Sequence, residues 1–391
     1  MKNLFNDNLA NECTTELELR VYTAKLLGKN PSLVMHCGGN ASLKSVFKNE
    51  NVLYIKGSGQ DLANIDPGGF TPLKLNALKD LASLPKLTDT ELVLKQKEAM
   101  VDEKAPNPSI EACLHAIIPF KYVDQTNSDA ILTISNCENG IEYINEIYPN
   151  HLVFPYVMMG VHLVEAVQSQ LDNIDWEHCE GIILHNHGIF TFDNDAKSSY
   201  EKMVRCVAKA EKFLDENAPL VLGKYVPKMK LDIEQLTQLI SKEKGYEVFV
   251  KINQTALALH YASQKNLQKL TSRGVLTPEH IIRTKRNPMI IEDKDIQKAI
   301  DIFEEEYLEY YSEFTSNEIM MNPTPNWAVV KNFGTLSFGA TEEEALLIEE
   351  INNHTMKAVL RADLLGGYKS INLSDSFEIE YGELEQAKIK K

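Results

Sequence analysis

Leu33-Val34-Met35-His36-Cys37-Gly38-Gly39-Asn40 and, further on, Val52-Leu53-Tyr54-Ile55-Lys56-Gly57-Ser58-Gly59 share one pattern. Each is a short apolar, strand-like run that ends in a glycine turn carrying a small polar residue. Glycine reaches backbone conformations closed to other residues, so such turns can leave N–H groups facing a ligand. Neither turn has the GxGxxG or Walker A spacing, so a nucleotide loop is not indicated. Alone, the two are better read as tight turns. Pro108-Ser109, at a predicted helix start, adds a third element suited to an anion.

Outward from these turns the chain alternates strands and helices. Thr15 and Glu18 form a capping-box pattern, and Leu17, Val21, Ala24 and Leu27 give an apolar helix face up to Gly28. A helix is expected over 109–118, with Ile110, Leu114 and Ile117 on one stripe, then a strand over 130–134. Another strand (151–157) and a helix (161–168) follow. Gly181 to Phe192 reads as an apolar strand pair broken at Asn186-His187-Gly188. Asp195 caps a helix running to about Asn217. The alternation argues for an α/β domain over 1–217. Residues 218–275 read as a largely helical connection and 276–391 as a C-terminal α+β part. In that part Thr277-Pro278 suits a helix start. An acidic amphipathic helix (293–314), a hairpin-like pair (327–338) and a final long helix (341–365) complete the pattern.

Composition narrows the function classes. The 391 residues are 43% hydrophobic and 25% charged, as in an ordinary globular protein. Forty basic against 56 acidic residues give a net charge of −16, which a polyphosphate backbone repels. The densest basic stretch, Arg283-Thr284-Lys285-Arg286, is too short to reverse that, so nucleic acid is not expected as a partner. A small phosphate ester is not excluded, because backbone N–H groups alone can hold one. No run of about 18 apolar residues would cross a membrane. The first residues, Met1 to Asn11, lack the apolar run of a secretory signal. The six cysteines show no CxxC pair, as expected for reduced thiols in the cytoplasm.

Three further groups carry candidate chemistry. Glu111 and His115 are four apart on one predicted helix and so share a face. Glu111 could be a general base, or merely an acidic residue that complements the helix dipole. In Asp124-Gln125-Thr126-Asn127-Ser128-Asp129, an extended backbone puts Gln125 and Asn127 on one side, while a polar turn is the plainer reading. His185 and His187 flank the break at Asn186. A lone histidine in such a strand is more often a satisfied core residue than a ligand.

Read together and in order, these segments resemble the class II aldolase/adducin family, nearest to the aldolase half of bifunctional rhamnulose-1-phosphate aldolase/lactaldehyde dehydrogenases. The matching pieces run from His36 to Lys44, Tyr54 to Leu62, Pro108 to Glu111, Leu114 to Ala116 and Leu184 to Thr191. In the second half they are Leu276 to His280, Arg283 to Arg286, Phe377 to Tyr381 and Leu384 to Lys388. The resemblance covers almost the whole chain and ends about where the fused proteins begin their dehydrogenase domain.

That resemblance implies a three-layer α/β/α domain around a mixed or antiparallel sheet, plus a smaller C-terminal α+β part. It implies a carbon–carbon lyase acting on a sugar or ketose 1-phosphate. Gly39, Asn40, Ser58, Gly59 and Ser109 would surround the phosphate. Glu111 would move the proton at the carbon next to the carbonyl, and His187 would be one ligand of a zinc ion. The other two ligands belong to a His-x-His pair, and here those positions are Gln125 and Asn127. Amide oxygens are poor zinc ligands beside imidazole. The set would suit magnesium or manganese held weakly, or no metal. Two readings therefore stand: a modified aldolase-type enzyme, or a catalytically silent binding or assembly protein of the same family. The resemblance also implies a homo-oligomer, a tetramer by default, and invites a separate dehydrogenase as partner. A Schiff-base alternative would need a lysine in the pocket, and Lys56 is the one near in sequence.

Overall fold

The capping box forms as its sequence predicts: the Thr15 hydroxyl accepts from the Glu18 N–H while the Glu18 carboxylate accepts from the Thr15 N–H. The helix it starts, Glu16–Gly28, closes where a Cβ on Gly28 would sit 2.2 Å from the backbone of Ala63. The computed structural model describes all residues except Cys37, Pro85, Lys86, Lys390 and Lys391. Packing divides the chain into two units: residues 1–135 with 140–213, and residues 136–139 with 214–391.

In the first unit, seven strands form one sheet: β1 (Asn40–Phe47), β2 (Glu50–Lys56), β3 (Phe70–Lys74), β4 (Tyr122–Thr126), β5 (His151–Phe154), β6 (Gly181–Leu184) and β7 (Gly188–Asp193). Their order is β3-β2-β1-β4-β7-β6-β5, antiparallel except for β5 with β6. Two expectations are corrected here. Leu33 to His36 is no strand: the N–H groups of Leu33 and Val34 both turn back to the Asn30 carbonyl, and the strand begins only at Asn40. The apolar run at 130–134 is the helix Asp129–Ser135, and the strand precedes it as β4. A short run buried throughout has no period to separate helix from strand. The helix expected over 109–118 is shorter, Ala112–Ile117, with Glu111 at its N-cap position.

Three layers result. On one sheet face Leu53, Ile55, Val123, Phe190 and Phe192 pack with residues of the helices Leu75–Ala82, Ala112–Ile117 and Val161–Gln168. On the other face lie helices Glu16–Gly28 and Ala196–Asn217, which hold Asp124 between Arg20 and Ser199 and place Met203 on Thr126. Alternation along β4 separates these partners: Asp124 and Thr126 face one layer, Val123 and Gln125 the other.

Two histidines sit inside this unit as neutral groups. Burial, then the charges of Lys44 and Arg20, hold His115 well below the usual imidazole range, and burial with Lys209 holds His151 at about 4. Such groups take up protons in the unfolded chain first, near pH 6.5. Their contribution is therefore intact above about pH 6.5 and lost as pH falls toward 4. We expect stability to fall over that window by about 1 kcal/mol per pH unit through His151, with His115 adding a loss in the same direction. Denaturant unfolding of the full chain between pH 7 and 4.5 measures it, and a flat profile would contradict the assignment.

The second unit is built on a sheet of β8 (Phe249–Asn253), β9 (Met289–Ile291), β10 (Trp327–Val330) and β11 (Gly334–Gly339), in the order β8-β11-β10-β9. Its core joins Ala328, Val330, Leu336 and Phe338 to Leu236 and Ile240 of helix Ile233–Lys244 and to Ile300 and Phe303 of helix Ile296–Phe314. The hairpin at 327–338 is as expected, with Asn332 and Gly334 both at positive φ in its turn. The helical connection expected over 218–275 is corrected at β8, which pairs with β11. Thr277 makes no side-chain cap, and Pro278–His280 is a short 3-10 turn. The helix Glu342–Ala362 is not the last, since Leu373–Tyr381 and Glu383–Ile389 follow. Lys285, in the basic stretch, is buried with its ammonium 3.5 Å from Glu380 and 3.7 Å over the Tyr307 ring. That side chain is not part of a surface patch for nucleic acid. Among the described residues no helix is long and apolar enough to cross a membrane.

Candidate active site

Antiparallel pairing of β1 with β4 sets Asn40 directly opposite Gln125, and pairing of β4 with β7 sets Gln125 opposite Phe190. Directly opposed residues share a sheet face. Asn40, the first residue of β1, donates from Nδ2 to Ser109 Oγ at 2.6 Å and to Glu111 Oε2 at 2.9 Å. The Glu111 N–H in turn donates to Ser109 Oγ at 3.3 Å. One carboxylate oxygen of Glu111 is thereby fixed. The other, Oε1, is buried and makes no hydrogen bond among the described residues, and it lies 3.6 Å from His187 Nε2.

His187 reaches this point because of the reversal between β6 and β7. Asn186 sits at φ +60 and Gly188 at φ +148, where a Cβ would lie 2.3 Å from the Thr126 carbonyl oxygen. Only glycine allows so close an approach of the two backbones. His185 turns differently, with Nδ1 2.6 Å from Asn186 Oδ1. His115 belongs to the core: it is fully buried, its Nδ1 lies 2.8 Å from Ser42 Oγ, and its ring packs edge-on against Phe190.

The two positions of the expected His-x-His behave unalike. Asn127 clasps backbone on both sides: its Oδ1 accepts from the Gly39 N–H at 3.0 Å and its Nδ2 donates to the His187 carbonyl at 2.8 Å. Gln125 is 2% exposed, yet among the described residues its side-chain amide makes no hydrogen bond. Sequence spacing put both on one side of a strand but could not show that one amide is consumed and the other is not. A zinc ion of the family kind needs imidazoles at these positions. One imidazole, one carboxylate and an amide already spent on the backbone do not fit it. Among the described residues no group of three or more His, Cys, Asp or Glu side chains gathers as a metal site.

The glycine turns also differ in what they offer. The N–H of Gly39 is taken by Asn127, that of Gly57 by the Gly69 carbonyl and that of Ser58 by the Asn107 carbonyl. Ser58 and Gly59 are exposed, and Gly59 stands at φ +77 with nothing within 4 Å of a Cβ position. A bridge between Gly57 and Pro108 brings this turn beside Ser109. Lys56 is buried, with Nζ donating to the Gln60 carbonyl at 3.0 Å.

One supporting feature escaped the sequence reading. Arg20 and Asp124, both wholly buried, pair at 2.5 Å directly behind Gln125 in the strand. The signal was present: Arg20 lies on the same helix face as Leu17, Val21, Ala24 and Leu27, where a charge calls for a buried partner.

A seven-stranded mixed sheet carries a half-anchored carboxylate beside a turn-borne imidazole. Residues 18–214 match the family described as Class II Aldolase and Adducin N-terminal domain, and residues 228–389 match Aldolase class II, second domain. The chain belongs to the class II aldolase/adducin family. It is similar to the N-terminal class II aldolase domain of a conserved protein from Thermoplasma acidophilum, at 32% identity and TM-score 0.51. That match covers 55% of this chain and 99% of that one. It is also 27% identical, over its whole length, to the "Uncharacterized oxidoreductase YuxG" of Bacillus subtilis (strain 168). The chain spans 60% of the length of that relative.

Proposed function

We propose that the first unit is a proton-abstracting active site of the aldolase type, acting on a sugar or ketose 1-phosphate and carrying carbon–carbon lyase activity. The observation that carries this reading is the Glu111 carboxylate: Oε2 is held by Asn40, while Oε1 is buried, unbonded and 3.6 Å from His187 Nε2. A base so placed keeps an oxygen for a proton on the carbon next to a carbonyl, and its anchor fixes the direction of attack. Ser109 Oγ only accepts in these contacts, so its own O–H remains to donate to a phosphate oxygen. The exposed Ser58 hydroxyl and Gly59 extend the same anion-binding edge. Gly39 and Asn40 act indirectly, the first through its clasp to Asn127 and the second through Glu111. The test is deuterium exchange and cleavage across a panel of ketose 1-phosphates, with and without added divalent metals.

The spent amide of Asn127 favours the second reading, a silent binding or assembly member of the family. Failure of the whole panel with every metal would move the chain to that reading. The longer oxidoreductase-named relative supports a third element, a dehydrogenase as partner, beside a homo-oligomer of this chain. Affinity capture from the native cytoplasm followed by light scattering is expected to return a tetramer with a dehydrogenase. A monomer recovered alone would remove both partners.

A further inference from the structure

We infer that Gln125 supplies the electrophile of this site: its side-chain Nε2–H₂ donates to the substrate carbonyl oxygen and to the oxyanion that forms there. The inference rests on the proton-abstraction reading above and adds to it the group that receives the charge.

An enolate-forming step moves electrons in a fixed way. Glu111 takes the proton from the carbon next to the carbonyl, so a C–H bond breaks and an O–H bond forms. The C–H pair becomes a C=C bond, and the carbonyl π pair moves onto oxygen. Glu111 then returns the proton, and nothing is oxidised or reduced. Such a step is costly unless donors already stand where the negative charge develops.

Gln125 meets that need on four counts. The residue is only 2% exposed, and among the described residues its side-chain amide makes no hydrogen bond, so a ligand can supply the acceptor. It stands opposite Asn40, whose amide holds the base, so donor and base share one sheet face. The adjacent same-side position, Asn127, is withdrawn from the ligand by its bonds to Gly39 and His187, which leaves Gln125 as the amide presented there. Its strand is also rigid, since Asp124 is locked from behind by Arg20 and Ser199. A preorganised donor needs no reorganisation as charge develops.

The experiment uses the full chain, treated with chelator, with metal content read by mass spectrometry and dihydroxyacetone phosphate as probe. Exchange of the hydrogens next to its carbonyl is followed by NMR in D₂O, and probe binding by calorimetry. Chelated wild type is expected to keep its exchange rate within about twofold of protein supplied with zinc, magnesium or manganese. Gln125→Ala is expected to lose about 10²–10³-fold in the maximal exchange rate, as when one oxyanion donor is removed, with probe affinity changed only a few-fold. Gln125→Glu, which puts a carboxylate against the oxyanion, should lose at least as much, while both variants keep the wild-type melting profile. Exchange that appears only on adding metal overturns the role of Gln125 and leaves Glu111 standing. A Gln125→Ala variant exchanging at the wild-type rate does the same. Wild type that exchanges under no condition overturns this inference together with the reading on which it rests.

Discussion

Asp124→Ala is expected to destabilise the first unit by about 3–5 kcal/mol, because it leaves the Arg20 guanidinium buried without its counter-charge. Both side chains are wholly excluded from solvent, and the pair stands in the middle of the sheet, where water cannot enter to compensate. Asp124 uses its second oxygen to accept from Ser199, so one substitution removes a buried polar link from β4 to each of the two helices on that face. Arg20 is not fully satisfied even in the native chain: among the described residues Nε and Nη1 have no hydrogen-bond partner. The pair is therefore weak evidence of net stabilisation but a strong liability when halved. Removing both charges with a volume-matched Arg20→Met, Asp124→Leu double variant should restore most of the loss. Thermal and urea unfolding of the full-length variants decides this. A double variant no more stable than Asp124→Ala would show that the charges themselves, and not the unpaired remainder, hold the sheet.

Glu111→Gln is expected to lower exchange and turnover by about 10²–10⁴-fold, the usual worth of a positioned acid–base group. The replacement is nearly isosteric and can still accept from Asn40 through its amide oxygen, while the backbone bond to Ser109 is untouched, so substrate affinity should change little. A fall in maximal rate with KM held within a few-fold marks a group acting in the transition state. A rise in KM with an unchanged maximal rate would instead place Glu111 among the binding groups. Glu111→Ala separates the two further, since it also releases Asn40 Nδ2 and opens space beside His187.

The two expectations share a physical link. Asp124 and Gln125 are consecutive in β4 and face opposite layers, so the ion pair behind the strand fixes the position of the amide in front of it. Loss of the pair should therefore degrade activity as well as stability.

Much of this was legible in the chain itself. The capping box at Thr15, the strand pair broken at Asn186, the helix after Asp195 and the hairpin around Asn332 are local patterns. Each is set by a few neighbouring residues through period, turn chemistry or a cap. The ordered motifs likewise gave the family, and with it the mixed sheet and the prominence of Glu111 and His187. Local reasoning failed where burial replaced period, as at 130–134, and where strands pair far apart in sequence, as for β8 with β11. Most of the site lay beyond it for the same cause. Asn40 meets Glu111 across 71 residues and Asn127 meets Gly39 across 88, so neither bond leaves a trace in spacing. Sequence alone thus determined which residue types stand at the site, including two amides where imidazoles were expected. Only the tertiary structure decided that one amide is spent holding the backbone while the other, among the described residues, makes no hydrogen bond. A hydrogen bond is settled by which partner arrives in space, and only the folded sheet brings those partners together.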